Sequence, residues 1–139
     1  MSRNRLITKS IYSALTFLIL LPSYLSADEL WGGQGRILLL RHALAPGMGD
    51  PSNFSLDDCS TQRNLSDAGR QQAREIGDAL RAKGVESAKA YTSQWCRCVE
   101  TAELLGFGSV TELPALNSFF QRREDREPNL KGLREFLAE

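Results

Sequence analysis

One histidine stands in this 139-residue chain, His42, and it follows directly on Arg41. A neutral imidazole is a nucleophile, provided one ring nitrogen is bare and the other is held by a hydrogen bond. A neighbouring guanidinium never loses its charge and repels a proton on the ring, which favours that neutral form. The pair therefore suits an electrophile rich in anionic oxygens, because guanidinium N–H groups donate in forks that match them. The other reactive side chains are the three cysteines, Cys59, Cys96 and Cys98. They permit one bridge and leave one thiol over. Cys96 and Cys98 stand too close in sequence to bridge each other well, so Cys59 paired with Cys96 or with Cys98 is expected. Zinc held by the three cysteines and His42 lacks the usual C-x₂₋₄-C spacing.

These residues need elements to position them. Residues 36–40 (Arg-Ile-Leu-Leu-Leu) are an apolar run of the kind that forms a strand buried on both faces, and His42 would sit just past its carboxyl end, where open α/β sheets place ligands. Residues 43–62 form a long loop rich in Pro, Gly, Asp and Ser, including Pro46, Gly47, Gly49, Asp50 and Pro51. Loops of that length in a compact domain are commonly functional. Ser66 and Asp67 open a helix, Ala73, Ile76 and Leu80 give it a stripe, and Gly84 ends it; Gly69 reads as a helix-start residue. Residues 88–92 predict a second strand. A helix from Ser93 or Gln94 to Leu105 follows, with Val99, Ala102 and Leu105 inward, then a third strand over 110–113. Phe119 and Phe120 read as apolar anchors and 121–127 as a solvated charge run. Residues 128–139 predict a last helix with Leu130, Leu133, Phe136 and Leu137 on one side. Strand and helix alternate throughout, which predicts an α/β fold with a parallel sheet.

Charge and hydropathy divide the chain. Of its 17 Lys+Arg, Arg3, Arg5 and Lys9 lie in the first 27 residues, which hold no acid; the remaining 14 face 17 Asp+Glu, a net charge of −3. That surface argues against nucleic acid or an anionic membrane as partner. Residues 1–27 read as a secretory signal: the three basic residues, an apolar core from Ile11 to Leu21, and a small-residue exit ending at Ala27. That core is about half the roughly 20 residues a membrane-spanning helix needs. The expected organisation is a signal peptide over 1–27 and one domain over 28–139, periplasmic or secreted, with no membrane contact in the mature form.

Three segments carry a resemblance when taken together. They are Leu38-Leu39-Leu40-Arg41-His42-Ala43, then Thr61-Gln62-Arg63-Asn64-Leu65-Ser66-Asp67-Ala68-Gly69-Arg70, then Tyr91-Thr92-Ser93-Gln94-Trp95-Cys96-Arg97-Cys98-Val99-Glu100-Thr101-Ala102. In this order and spacing, over residues 36 to 120, the chain resembles the histidine phosphatase superfamily, the phosphoglycerate-mutase-like fold. Within it the chain is most similar to the small bacterial phosphatases, phosphohistidine phosphatases included. The resemblance implies a three-layer α/β/α architecture and hydrolysis of a phosphoric monoester through a phosphohistidine intermediate. It makes His42 the residue that is phosphorylated. Arg41 and Arg97 would clamp the phosphoryl group, and Arg63 would line the substrate pocket. Neither a metal nor another cofactor is implied; the partner is a small phosphorylated substrate or phosphate.

The pattern is departed from in three places. Ala43 stands where the motif has glycine. The family's proton-donating glutamate is matched by Ser118, with Glu112, Glu124 and Asp125 as the nearest carboxylates. A second catalytic histidine, which follows a further strand in the family, is absent from the sequence. The domain is therefore expected to be incomplete at its carboxyl end, with little activity and an exposed sheet edge prone to association. Three function classes compete: a phosphatase, a non-catalytic binder of phosphate or a phosphorylated ligand, and a thiol or metal protein built on the cysteines. Mutase activity is disfavoured, because nothing indicates a pocket that would retain and reorient a phosphorylated sugar acid.

Overall fold

The computed structural model describes residues 35–139; the expected signal peptide lies outside them. Helix α1 spans Asp67–Ala82, strand β1 Ala90–Thr92, helix α2 Cys96–Leu105, strand β2 Val110–Glu112 and helix α3 Arg126–Leu137. Short 3₁₀ turns occupy Cys59–Thr61, Pro114–Leu116 and Arg123–Asp125. The sheet joins β1 to β2 in parallel, with Tyr91 opposite Thr111. Helix α2 is the crossover that parallel strands require. The class is α/β, as the alternation predicts.

Local chemistry explains the helices. Ser66 caps α1 by accepting from the Gly69 N–H, Asp67 lies in the positive first turn, and Gly84 takes a positive φ just past the end. Helix α2 starts later than expected, at Cys96. Trp95 occupies its N-cap and offers no capping side chain, so the Cys96 N–H donates instead to Gln62 Oε1 at 3.0 Å. Its far end stops at Gly106, which adopts the left-handed conformation. Helix α3 begins at Arg126 rather than Pro128, because the Arg123–Asp125 turn runs straight into it.

The first expected strand is not formed. Residues 36–40 pair with no strand among the described residues, and Ile37 and Leu39 are 67% and 80% exposed. Four aliphatic residues in a row record a preference for burial, but a ladder also needs a neighbouring strand. Among the described residues β1 and β2 pair only with each other. Phe120, expected as an anchor, is likewise exposed.

The buried apolar residues among those described are few: Ala43, Ala45, Leu65 and Ala73 cluster together, with Leu104 packed against them, and Trp95 is buried as well. Small residues permit close approach. A Cβ on Gly69 would stand 2.0 Å from the Leu44 carbonyl oxygen, and one on Gly77 would stand 2.2 Å from that of Leu105. Gly69 is thus a docking point for α1 and not simply a residue tolerated near a helix start. Helix α3 packs on β1 through an edge-to-face pair, Phe136 on Tyr91 at 4.7 Å. It also holds the chain after β2, since Asn129 Nδ2 donates to the Asn117 carbonyl.

Candidate functional site

His42 stands on a short segment fastened to both packed helices. The Ala43 N–H donates to Thr101 Oγ1 on α2 at 3.0 Å, and that hydroxyl donates in turn to the Arg97 carbonyl at 2.6 Å. The Leu44 N–H donates to Gln72 Oε1 on α1, while the Leu44 carbonyl accepts from the Ser66 N–H. These backbone groups are satisfied by helix side chains and by the N-cap of α1 rather than by a sheet. The imidazole is placed without the strand that the sequence led us to expect.

Among the described residues the ring has one hydrogen-bond partner. His42 Nδ1 lies 2.7 Å from the Ala43 carbonyl oxygen. A carbonyl only accepts, so Nδ1 carries a proton, and in the neutral ring Nε2 keeps its lone pair. Burial pushes the imidazole below its ordinary value of 6.5; the Ala43 hydrogen bond works against this, and the charges of Arg97, Arg41 and Arg63 add to the lowering. Desolvation therefore leads, with guanidinium repulsion second.

Arg41, His42, Arg63 and Arg97 line one cavity of about 550 Å³. All four residues expected at the site are thus brought together, Arg97 from the first turn of α2 and Arg63 from the segment before α1. Arg63 is held by the loop it crosses: its Nε donates to the Gly49 carbonyl at 2.8 Å and its Nη1 to that of Ala45. Met48, Phe54, Leu116 and Phe120 give the cavity an apolar wall. Ser118 lines it, whereas Glu112, Glu124 and Asp125 do not; Asp125 borders an adjoining hollow. Gln121 and Arg122, which the sequence placed in a solvated charge run, also reach the cavity.

Asp50 is the residue that sequence reasoning missed. It sits in the long loop, and its side chain is 3% exposed. Its Oδ1 accepts from Arg97 Nη1 at 2.7 Å and from the Arg63 N–H at 3.0 Å. Its Oδ2 accepts from Arg97 Nη2 at 3.1 Å and from Trp95 Nε1 at 3.0 Å. Burial alone would raise this carboxyl, but the donors from Arg97, Arg63 and Trp95 hold it below the ordinary carboxylate value. Only the composition of the loop hinted at a role.

Arg97 is as buried as its partner, with its side chain 8% exposed. One atom of it is anomalous. Nε is buried and has no hydrogen-bond partner among the described residues. An unsatisfied donor on a charged group costs about 1–3 kcal/mol or more, which a bound anion would recover. The Arg97 guanidinium also lies over the Trp95 ring, 5.9 Å from its centroid, which limits where it can swing.

The cysteines settle into one arrangement. Cys59 is bonded to Cys96, pinning the loop to the start of α2, and Cys98 keeps its thiol at the cavity wall. Two of the thiolates a zinc site would need are consumed in that bond. Among the described residues no group of three His, Cys, Asp or Glu could hold a metal ion.

The arrangement has the chemistry of an anion pocket with a nucleophile in it: three guanidinium groups and one imidazole with a bare nitrogen, beside an apolar wall. A family model described as histidine phosphatase superfamily (branch 1) matches residues 37–120, more than half of the chain. No curated protein and no solved structure matches it. With the match running from the apolar run before His42 to Phe120 on the cavity wall, the chain belongs to the histidine phosphatase superfamily.

Proposed function

We propose that this protein is a phosphatase-type hydrolase that passes a phosphoryl group from a small phosphorylated substrate to His42 and then to water. The observation that carries the reading is the bare Nε2 of His42 in a cavity shared with Arg41, Arg63 and Arg97. In the first step the Nε2 lone pair forms a bond to phosphorus while the bond to the leaving oxygen or nitrogen breaks. Charge spread over the equatorial oxygens is stabilised by the guanidinium groups, which need no reorganisation. In the second step water attacks phosphorus, the P–N bond breaks, and the electron pair returns to Nε2. One proton of that water passes to solvent and a solvent proton neutralises the departed leaving group, so one water is consumed and inorganic phosphate and the protonated leaving group are released.

The walls bear on the substrate. Of the described residues that line the cavity, Asp50 is the one carboxylate, and it is charged and bound to Arg97. Ser118 is too weak an acid to protonate a poor leaving group. The reading is therefore a substrate whose leaving group departs without a strong acid, such as an aryl phosphate or a phosphoramidate. We read the whole domain as the three-layer member of its family. We also read residues 1–27 as its signal peptide and the mature protein as periplasmic or secreted, a location that the Cys59–Cys96 bond supports.

A second reading is favoured by one observation: Ser118 lines the cavity, and Asp50, the one carboxylate among the described lining residues, is bound to Arg97. On that reading the arginines capture phosphate or a phosphorylated ligand without turnover. Hydrolysis of an aryl phosphate and binding of inorganic phosphate, measured on the wild type and His42→Ala, separate the two. The enzyme reading expects hydrolysis to vanish in the variant while phosphate binding survives. Phosphate binding without hydrolysis in the wild type overturns it in favour of the binder.

A further inference from the structure

We infer that Asp50 is a positioning residue for the phosphoryl group: its carboxylate holds Arg97 end-on, so that the other edge of the guanidinium is left to clamp two anionic oxygens. The inference rests on the functional reading above and extends it to a residue in the long loop.

The count of donors decides it. A guanidinium has five N–H groups in a rigid plane. The two on Arg97 Nη1 have two acceptors, Asp50 Oδ1 at 2.7 Å and the Arg63 carbonyl at 3.2 Å. One on Nη2 meets Asp50 Oδ2 at 3.1 Å. Two donors are left among the described residues: Nε–H, which is buried and unpartnered, and the second hydrogen of Nη2. In the planar group these two lie on the same edge, parallel to each other. They form the side-on fork that accepts a phosphate or carboxylate bidentately. Asp50 and the Arg63 carbonyl thus engage every donor except that fork, in a residue that lines the cavity with His42.

Asp50 is in turn held against rotation. Trp95 Nε1 donates to Oδ2 and the Arg63 N–H to Oδ1, so the carboxylate plane cannot turn without losing a bond. Its main-chain carbonyl accepts from Gln121 Nε2 at 3.4 Å, linking it to the opposite wall. The chain of support therefore runs from loop to carboxylate to guanidinium.

Plain Coulomb attraction makes the opposite forecast, because removing an anion from a cluster of three arginines should tighten the binding of another anion. That opposition makes the test sharp. Inorganic phosphate affinity is measured calorimetrically at fixed ionic strength for the wild type, Asp50→Asn, Arg97→Lys and the double variant. An asparagine offers one oxygen and turns an amide N–H₂ toward the guanidinium, so Arg97 is no longer held end-on. Asp50→Asn is expected to weaken phosphate about tenfold. In the Arg97→Lys background the same change is expected to alter affinity by less than about twofold, since its effect travels through the fork. Should Asp50→Asn fail to fold, Trp95→Phe removes one of the donors that orient the carboxylate; a loss of about threefold is expected.

Phosphate binding that is unchanged or tighter in Asp50→Asn overturns the inference, as does an equal loss with lysine at position 97. If Asp50→Asn does not fold, unchanged binding by Trp95→Phe overturns it. A wild type that binds no phosphate overturns the functional reading along with it. A wild type that binds phosphate, with Asp50→Asn binding it equally well, overturns this inference alone.

Discussion

Replacing Gly69 by alanine tests whether α1 sets the position of His42. The added Cβ would stand 2.0 Å from the Leu44 carbonyl oxygen, whereas real Cβ atoms essentially never come under 3.0 Å, so helix and segment must part by about 1 Å. That separation strains three bonds: Ser66 N–H to the Leu44 carbonyl at 3.1 Å, Ser66 Oγ to the same oxygen at 3.3 Å, and Leu44 N–H to Gln72 Oε1 at 2.9 Å. Overpacking of this kind costs about 1–3 kcal/mol, and each weakened bond up to about 1 kcal/mol more. Alanine returns about 1 kcal/mol through its helix propensity. Mid-range values of these terms leave a net loss of about 2–3 kcal/mol, which lowers Tm by roughly 10–20 °C for a domain of this size. Because the displaced segment carries His42, kcat/KM for an aryl phosphate should fall about 100-fold, the usual consequence of a 1 Å misplacement. Gly77→Ala is the control: its Cβ meets the Leu105 carbonyl oxygen at 2.2 Å, at the far end of α2. It should melt about as early, yet keep kcat/KM within about threefold. Circular dichroism melts and steady-state kinetics on both variants give the answer. Gly69→Ala with unchanged Tm, or an equal loss of activity in both variants, refutes the reasoning.

Other consequences follow from the same geometry. As the sequence has a single histidine, an imidazole NMR titration reports His42 alone, and its midpoint should fall below 6.5. The folded state then binds fewer protons than the unfolded one. The contribution of His42 to stability is complete above its unfolded pKa and is lost as pH falls from there through the lower folded value. A midpoint at or above 6.5 contradicts this. Under denaturing conditions without reductant one thiol should titrate, that of Cys98, and three after reduction. Replacing both Cys59 and Cys96 by serine should cost about 2–4 kcal/mol in a denaturant melt, and a loss under 0.5 kcal/mol (about the scatter of a neutral surface change) refutes the bond's role.

Much of the fold could be read before the structure, wherever a short window holds the cause. Ser66, Asp67 and Gly84 mark the ends of α1 because caps and left-handed glycines act within a turn. β1 and β2 were legible as brief runs between breakers. The run over 36–40 misled because apolarity announces a wish for burial and says nothing about which strand will pair. Gly69 could not be read for its docking role, since what demands a missing Cβ is the carbonyl of Leu44, twenty-five residues earlier. Asp50 was hidden for the same reason: nothing near it in sequence says that its carboxylate will meet a guanidinium 47 residues later. The arginines and His42 were legible because their spacing, unlike their contacts, is written along the chain. Gln121 and Arg122 line the cavity through contacts far away in sequence, such as Gln121 Nε2 donating to the Asp50 carbonyl, which a charge run does not announce.

The central claim is that His42 takes up the phosphoryl group, and trapping that adduct tests it most directly. The protein is mixed with an aryl phosphate, quenched in alkali within the first turnover, digested, and its phosphopeptides sequenced. The account predicts an alkali-stable, acid-labile phosphate on the peptide containing His42, absent from His42→Ala. Turnover with no label on that peptide, or with label on another residue, would contradict it.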